Sequence, residues 1–232
     1  MPVFAAIALL FALAPLAAQD AVAPAPRPAA SELVVLVHGM GRTSWSMRPL
    51  AEALEDAGFD VVNIGYSSLC CSIAELGAAV QQELAEHRAP QHRVVHFVGH
   101  SLGSIIVRWI LTHAPPPGVG RVVMLAPPNQ GSHSADRYTP VLGWLLEPMA
   151  ELRTDSSATV RTLGRVTGVE IGVIAARQDG KLSLEETHLP EETAHTVVDG
   201  THAFLMRRAE VHHLTVGFLR TGRFDVPATA AR

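Results

Sequence analysis

The chain has 232 residues, 48% of them hydrophobic and 17% charged, enough to bury one sizeable core without a second domain. Its formal net charge of −4 comes without a basic tract or an aromatic-rich basic face, which excludes nucleic acid as a partner. No segment recurs at a fixed period, which excludes a solenoid.

The first predicted elements concern targeting. Val3 to Ala17 is almost wholly apolar, and Leu16-Ala17-Ala18 suits a signal peptidase cutting before Gln19. Residues 1–18 therefore read as a signal peptide, although no Lys or Arg precedes the apolar run. Residues 19–31, rich in Pro and Ala, read as a linker. The run is shorter than about 20 residues and is broken by Pro15, which disfavours a spanning helix. The expectation is export, to the periplasm or beyond, with a membrane tether as the variant in which the signal stays uncleaved.

From residue 32 onward one domain is expected. Leu33 to His38 (LVVLVH) is a buried strand that stops in the glycine-flanked loop His38-Gly39-Met40-Gly41. Such a loop can present a backbone N–H to a developing oxyanion, and Met40 is the candidate donor. Met47 to Ala57 is a helix stopped by Gly58, and Asp60 to Tyr66 is the second strand. Cys70 and Cys71 are adjacent; a Cα separation of about 3.8 Å lies below the usual disulfide range, so no bond between them is expected. They also lack the setting of a nucleophile or a zinc site. Ser72 and Glu75 form a capping box for a helix from Ile73 to His87.

Val94 to Gly103 (VVHFVGHSLG) carries the most chemistry. A strand-like run breaks at once into G-x-S-x-G with Ser101 at its centre, the pattern of a nucleophile elbow. A serine on a sharp strand-to-helix turn sits in strained backbone and needs tiny neighbours two residues away, a need that Gly99 and Gly103 meet. The helix that follows, Leu102 to His113, aims its N-terminal N–H groups at the site, and the Leu102 N–H is the second candidate oxyanion donor.

Arg121 to Leu125 is the fourth strand. A long excursion, 126–168, then contains the apolar cluster Val141, Leu142, Trp144, Leu145, Leu146 and Met149. It reads either as a helix packed on the sheet or as a small cap sheltering an acyl chain, with Trp144, Leu145 and Met149 as substrate contacts. Glu170 to Ala176 is a buried strand followed by Asp179 in a glycine turn. His195 to Asp199 is a short last strand with His202 in the loop beyond it, and a C-terminal helix runs from about Arg207 to Arg220. Alternation of helices with apolar strands implies an α/β fold: about six mostly parallel strands covered on both faces.

The segments LVHGMGRTSWSMRPLAEAL, VHFVGHSLGSIIVRWIL, RVVMLAPPNQGS, ARQDGKLSLEETHL and VVDGTHAFLM together resemble the α/β-hydrolase superfamily in its minimal form. More narrowly, they resemble small bacterial lipases and esterases of the lipase class 2 and inositol-deacylase-like group. The resemblance implies a Ser, Asp, His triad in that chain order and no cofactor or metal. Ser101, Asp179 and His202 fall in that order, each just past the C-terminal end of a predicted strand, where open α/β sheets collect their catalytic groups. Among the 12 histidines, His188, His195, His212 and His213 also lie downstream of Asp179, but only His202 follows a strand directly. Asp199, which ends the last strand, stays open as a rival acid; Glu185 and Glu186 read as solvated loop charges. The expected activity is hydrolysis of apolar, lipid-like carboxylic esters through an acyl-enzyme, with contact at a membrane surface. An acyltransferase using the same triad is the alternative. A non-catalytic binding module would require a broken triad, and no member is missing.

Overall fold

The computed structural model describes residues 32–88 and 92–224. The expected signal peptide, the linker and the last residues of the domain lie outside the described residues.

Six strands form one sheet: β1 (Glu32–Val37), β2 (Asp60–Ile64), β3 (Val94–His100), β4 (Val119–Leu125), β5 (Ile171–Ala176) and β6 (Ala194–Val198). Their order is β2-β1-β3-β4-β5-β6 and every pairing is parallel. Parallel neighbours need crossover connections, and helices supply them at α1 (Arg48–Asp56), α2 (Ile73–His87) and α3 (Leu102–His113). Helix α8 (Ala209–Thr221) follows β6 and ends the described chain on one face of the sheet. Smaller helices α4 (His133–Leu142), α5 (Glu147–Glu151) and α6 (Thr159–Thr162) occupy the excursion after β4, and α7 (Leu184–Thr187) lies between β5 and β6.

The strand pleat divides the core in two. Leu33, Val35 and Val37 of β1 face the side covered by α2 and α3, where Leu76, Val80, Ile106 and Ile110 are buried. Val34 and Leu36 face the opposite side, against Leu50 and Leu54 of α1 and Leu214 and Phe218 of α8. Burying each such side chain stabilises the fold by about 1.5–3 kcal/mol relative to leaving it exposed. Strands buried on both faces are apolar throughout, which is why β1 and β5 stand out as continuous runs.

Local signals set several boundaries. Ser72 Oγ accepts from the Glu75 N–H at 3.3 Å while the Glu75 carboxylate accepts from the Ser72 N–H at 3.0 Å, the expected capping box. Gly58 follows α1 with a φ of +92°, which a glycine adopts without strain. The fourth strand starts earlier than the expected Arg121, because Gly120 is a strand residue and not a turn. A Cβ there would stand 2.7 Å from Cε1 of the buried His96 ring, so the glycine makes room for that imidazole. After β6 the chain makes a 3-10 turn, His202–Arg207, before α8 begins at Ala209, two residues later than expected.

Candidate active site

The C-terminal edge of β3 holds Ser101. Its φ of 52° and ψ of −121° lie outside the ordinary regions for a side-chain-bearing residue. Close packing maintains this strain. A Cβ at Gly99 would come within 2.5 Å of Ser104 Cα, and one at Gly103 would collide with the carbonyl oxygens of Val37 and His38. The Ser101 N–H donates to the Leu125 carbonyl at 2.9 Å, fastening the turn to β4.

Beyond β5, Asp179 sits in a turn where its Oδ1 accepts from the N–H groups of Lys181 (2.8 Å) and Leu182 (3.0 Å). Beyond β6, Gly200 turns the chain so that His202 comes back toward β3. His202 Nδ1 donates to Asp179 Oδ2 at 2.7 Å, and Ser101 Oγ donates to His202 Nε2 at 2.9 Å. A carboxylate only accepts, so its bond assigns the proton to Nδ1 and leaves Nε2 free to take one. Burial pushes the Asp179 carboxyl upward, but the bond and charge of His202 and the two N–H donors outweigh it and hold it below the ordinary carboxylate value. The side chains of His202 and Asp179 are only 9% and 3% exposed, so water competes little for these bonds.

The rivals point elsewhere. Asp199 accepts from Arg177 Nε at 3.0 Å and is 70% exposed. His188 pairs with Glu192 at 2.7 Å, His195 meets Thr187 Oγ1 at 3.0 Å, and His212 meets the Met206 carbonyl at 2.8 Å. His213 is exposed. His188, Glu192 and His195 bring potential ligand atoms within 4.8 Å of one another, but none of the three lines the cavity at Ser101.

Both candidate oxyanion donors flank Ser101. Leu102 opens α3 with its side chain in the core, and a first-turn N–H has no acceptor within its own helix. Met40 lies in a turn closed by the Arg42 N–H on the Gly39 carbonyl at 3.2 Å, with Gly41 at a φ of +68°. Gly39 is pressed against Ser101: a Cβ there would stand 3.2 Å from Ser101 Cβ.

Three supporting residues escaped the sequence reading. Tyr66 donates its hydroxyl to the His38 carbonyl at 2.5 Å, and Ser68 Oγ accepts from the Gly41 N–H at 3.0 Å. Between them they hold the Gly39–Arg42 turn. His100 donates from Nε2 to the His202 carbonyl at 2.9 Å, and burial depresses its pKa to about 3. Only His100 carried a signal, as the residue preceding Ser101 within the motif.

Two expectations are corrected. Cys70 and Cys71 form a disulfide with each other, with Cα atoms 3.8 Å apart. The usual spacing describes cysteines that folding brings together, whereas here the sulfurs meet over the single peptide unit that joins them. The second correction concerns the excursion. Trp144 and Leu145 are 83% and 58% exposed and do not line the cavity, because the Trp144 indole turns back to donate to the Val141 carbonyl at 3.0 Å. Met149 does line it.

That cavity, about 390 Å³, opens directly over Ser101 and His202. Its apolar wall is formed by Ala135, Met149, Leu152 and Leu182.

The family described as the alpha/beta hydrolase fold matches residues 32–161. No curated protein matches the sequence. Among solved structures, a mature lipase from Bacillus licheniformis is similar at 19% identity and a TM-score of 0.67, over 85% of this chain and 94% of that one. An esterase from Pyrococcus furiosus is similar at 17% identity and a TM-score of 0.59, over 82% and 83%. A monoacylglycerol lipase from Paleococcus ferrophilus is similar at 16% identity and 0.58, over 84% and 97%. At such identities the likeness is one of fold.

Proposed function

The chain belongs to the α/β-hydrolase fold family, and from that premise we propose that it hydrolyses carboxylic esters through an acyl-enzyme on Ser101. The observation that carries the reading is the hydrogen-bonded series Ser101, His202, Asp179, with Ser101 and His202 lining a cavity. Lipases and esterases among the similar folds support an ester as the substrate. The apolar wall at Met149, Leu152 and Leu182 suits an apolar acyl chain.

The chemistry follows from the proton positions. Ser101 Oγ attacks the ester carbonyl carbon while its proton passes to His202 Nε2. The carbonyl oxygen gains negative charge facing the N–H groups of Met40 and Leu102; removing one such donor typically lowers turnover by about 10²–10³. His202 then delivers its proton to the departing alcohol oxygen as the carbon–oxygen bond breaks. Water repeats the attack on the acyl-enzyme, its proton returns through His202 to Ser101 Oγ, and the carboxylic acid leaves. Asp179 keeps the Nδ1–H tautomer throughout and offsets the imidazolium charge. Export, supported by the character of residues 1–31, completes the reading.

The test combines p-nitrophenyl esters of graded chain length with a serine-directed fluorophosphonate. The expected result is ester turnover, with label on Ser101 that is lost in a Ser101→Ala variant retaining its circular dichroism. Labelling that persists in Ser101→Ala overturns the proposal.

A further inference from the structure

The walls of the cavity carry a charge that the ester reading leaves unused. Arg42, Arg137 and Lys181 all line it, in a chain whose formal net charge is −4. The carboxylate of Asp179, two residues before Lys181, is spoken for: it receives His202 and two backbone N–H groups. Asp136, beside Arg137 on α4, turns to Thr154 Oγ1 at 2.6 Å and to Arg153 at 3.5 Å. Among the described residues, no carboxylate lies within ion-pair distance of Arg42, Arg137 or Lys181. Instead the Arg42 guanidinium lies over the Phe204 ring at 5.9 Å, and that of Arg137 over Tyr138 at 5.8 Å.

The local fold gathers these groups. Ser134 Oγ donates to the Lys181 carbonyl at 2.7 Å, drawing the Asp179 turn against the start of α4. Ser134 and Arg137 are three residues apart on that helix and share its face. One wall of the cavity therefore carries Arg137 and Lys181, and the turn after β1 adds Arg42. Like charges held together without counter-charge repel one another, and an anion entering among them relieves that repulsion and gains attraction to each.

The geometry points to a substrate that is itself anionic: an ester bearing a carboxylate, sulfonate or phosphate, its apolar part against Met149 and Leu152 and its charge among Arg42, Arg137 and Lys181. This rests on the ester-hydrolase reading and narrows it. Arg137 and Lys181 are exposed, so replacing them with glutamine leaves the core intact.

Two ester pairs test it. In one, the charge ends the acyl chain: mono-p-nitrophenyl suberate against p-nitrophenyl octanoate. In the other, it sits on the alcohol: 4-octanoyloxybenzenesulfonate against p-nitrophenyl octanoate. For each pair the ratio of kcat/KM, anionic over neutral, is compared between the wild type and the double variant Arg137→Gln, Lys181→Gln, so that intrinsic ester reactivity cancels. The expected result is a fall of about tenfold in this ratio for at least one pair, shrinking as salt is raised. An unchanged ratio in both pairs, with esters still hydrolysed, overturns the anionic substrate and leaves the ester-hydrolase reading standing. No turnover of any of the esters overturns both.

Discussion

His100 Nε2 donates to the main-chain carbonyl of His202 at 2.9 Å, so the residue preceding Ser101 holds the backbone of the imidazole that Ser101 is hydrogen-bonded to. Both belong to the C-terminal edge of the sheet, and neither is exposed. In His100→Leu the carbonyl loses its donor, a loss of about 1–3 kcal/mol in stability. If His100 positions His202, kcat falls about tenfold with KM little changed, and His100→Gln, which keeps a donor, recovers part of it. Steady-state kinetics per folded molecule check this; an unchanged kcat in His100→Leu would mean a purely structural role.

Asp179 and Asp199 are separated by the same measurement. Asp179→Asn removes the acceptor that selects the His202 tautomer, and on the proposed reading turnover should drop on the order of 10⁴-fold, as it does for triad aspartates. Asp199→Asn changes an exposed group paired with Arg177, so its kcat should remain close to that of the wild type. The reverse order of effects would move the acid to Asp199.

Gly103→Ala should unfold or severely weaken the protein. Its Cβ has to displace the carbonyls at the end of β1, which are backbone and give way poorly. A loss of about 3 kcal/mol or more is expected in urea unfolding, with any residual folded protein inactive because the Ser101 turn has shifted.

Acid should destabilise the fold from pH 6.5 downward. Burial lowers the pKa of His38, His96 and His100 from 6.5, that of His100 to about 3. Below pH 6.5 the unfolded chain therefore binds protons that the folded chain refuses, and stability falls with pH. His100 sustains this over the widest window, from 6.5 to about 3, with a slope approaching about 1.4 kcal/mol per pH unit. Urea midpoints between pH 7.5 and 4.5, as assay settings of about that span, should fall less steeply in His100→Leu than in the wild type.

Trp144→Ala should leave kcat/KM for octanoyl esters within about twofold, since the ring is out of the cavity. Met149→Ala, which strips an apolar wall, should lower it about tenfold, mainly through KM. A large effect at Trp144 would show that the excursion closes over substrate.

Much of this protein is written locally in its sequence. Apolar strands buried on both faces, the Ser72 and Glu75 capping box, and glycines two residues either side of Ser101 are short-range requirements, and the elements and their order follow from them. Even the positions of Asp179 and His202 are legible, because parallel strands must all end at one edge and each residue follows its strand closely. What only the tertiary structure decided is which side chains that edge turns inward. Asp199 and Asp179 both follow strands, yet one turns to Arg177 and the other to His202. Trp144 and Met149 belong to one apolar run, but core packing buries the methionine and leaves the indole outside. Tyr66, Ser68 and His100, and the cations Arg42, Arg137 and Lys181, come from segments far apart in the chain. Their convergence depends on how helices seat on the two faces of the sheet, a relationship between distant residues that no local pattern encodes.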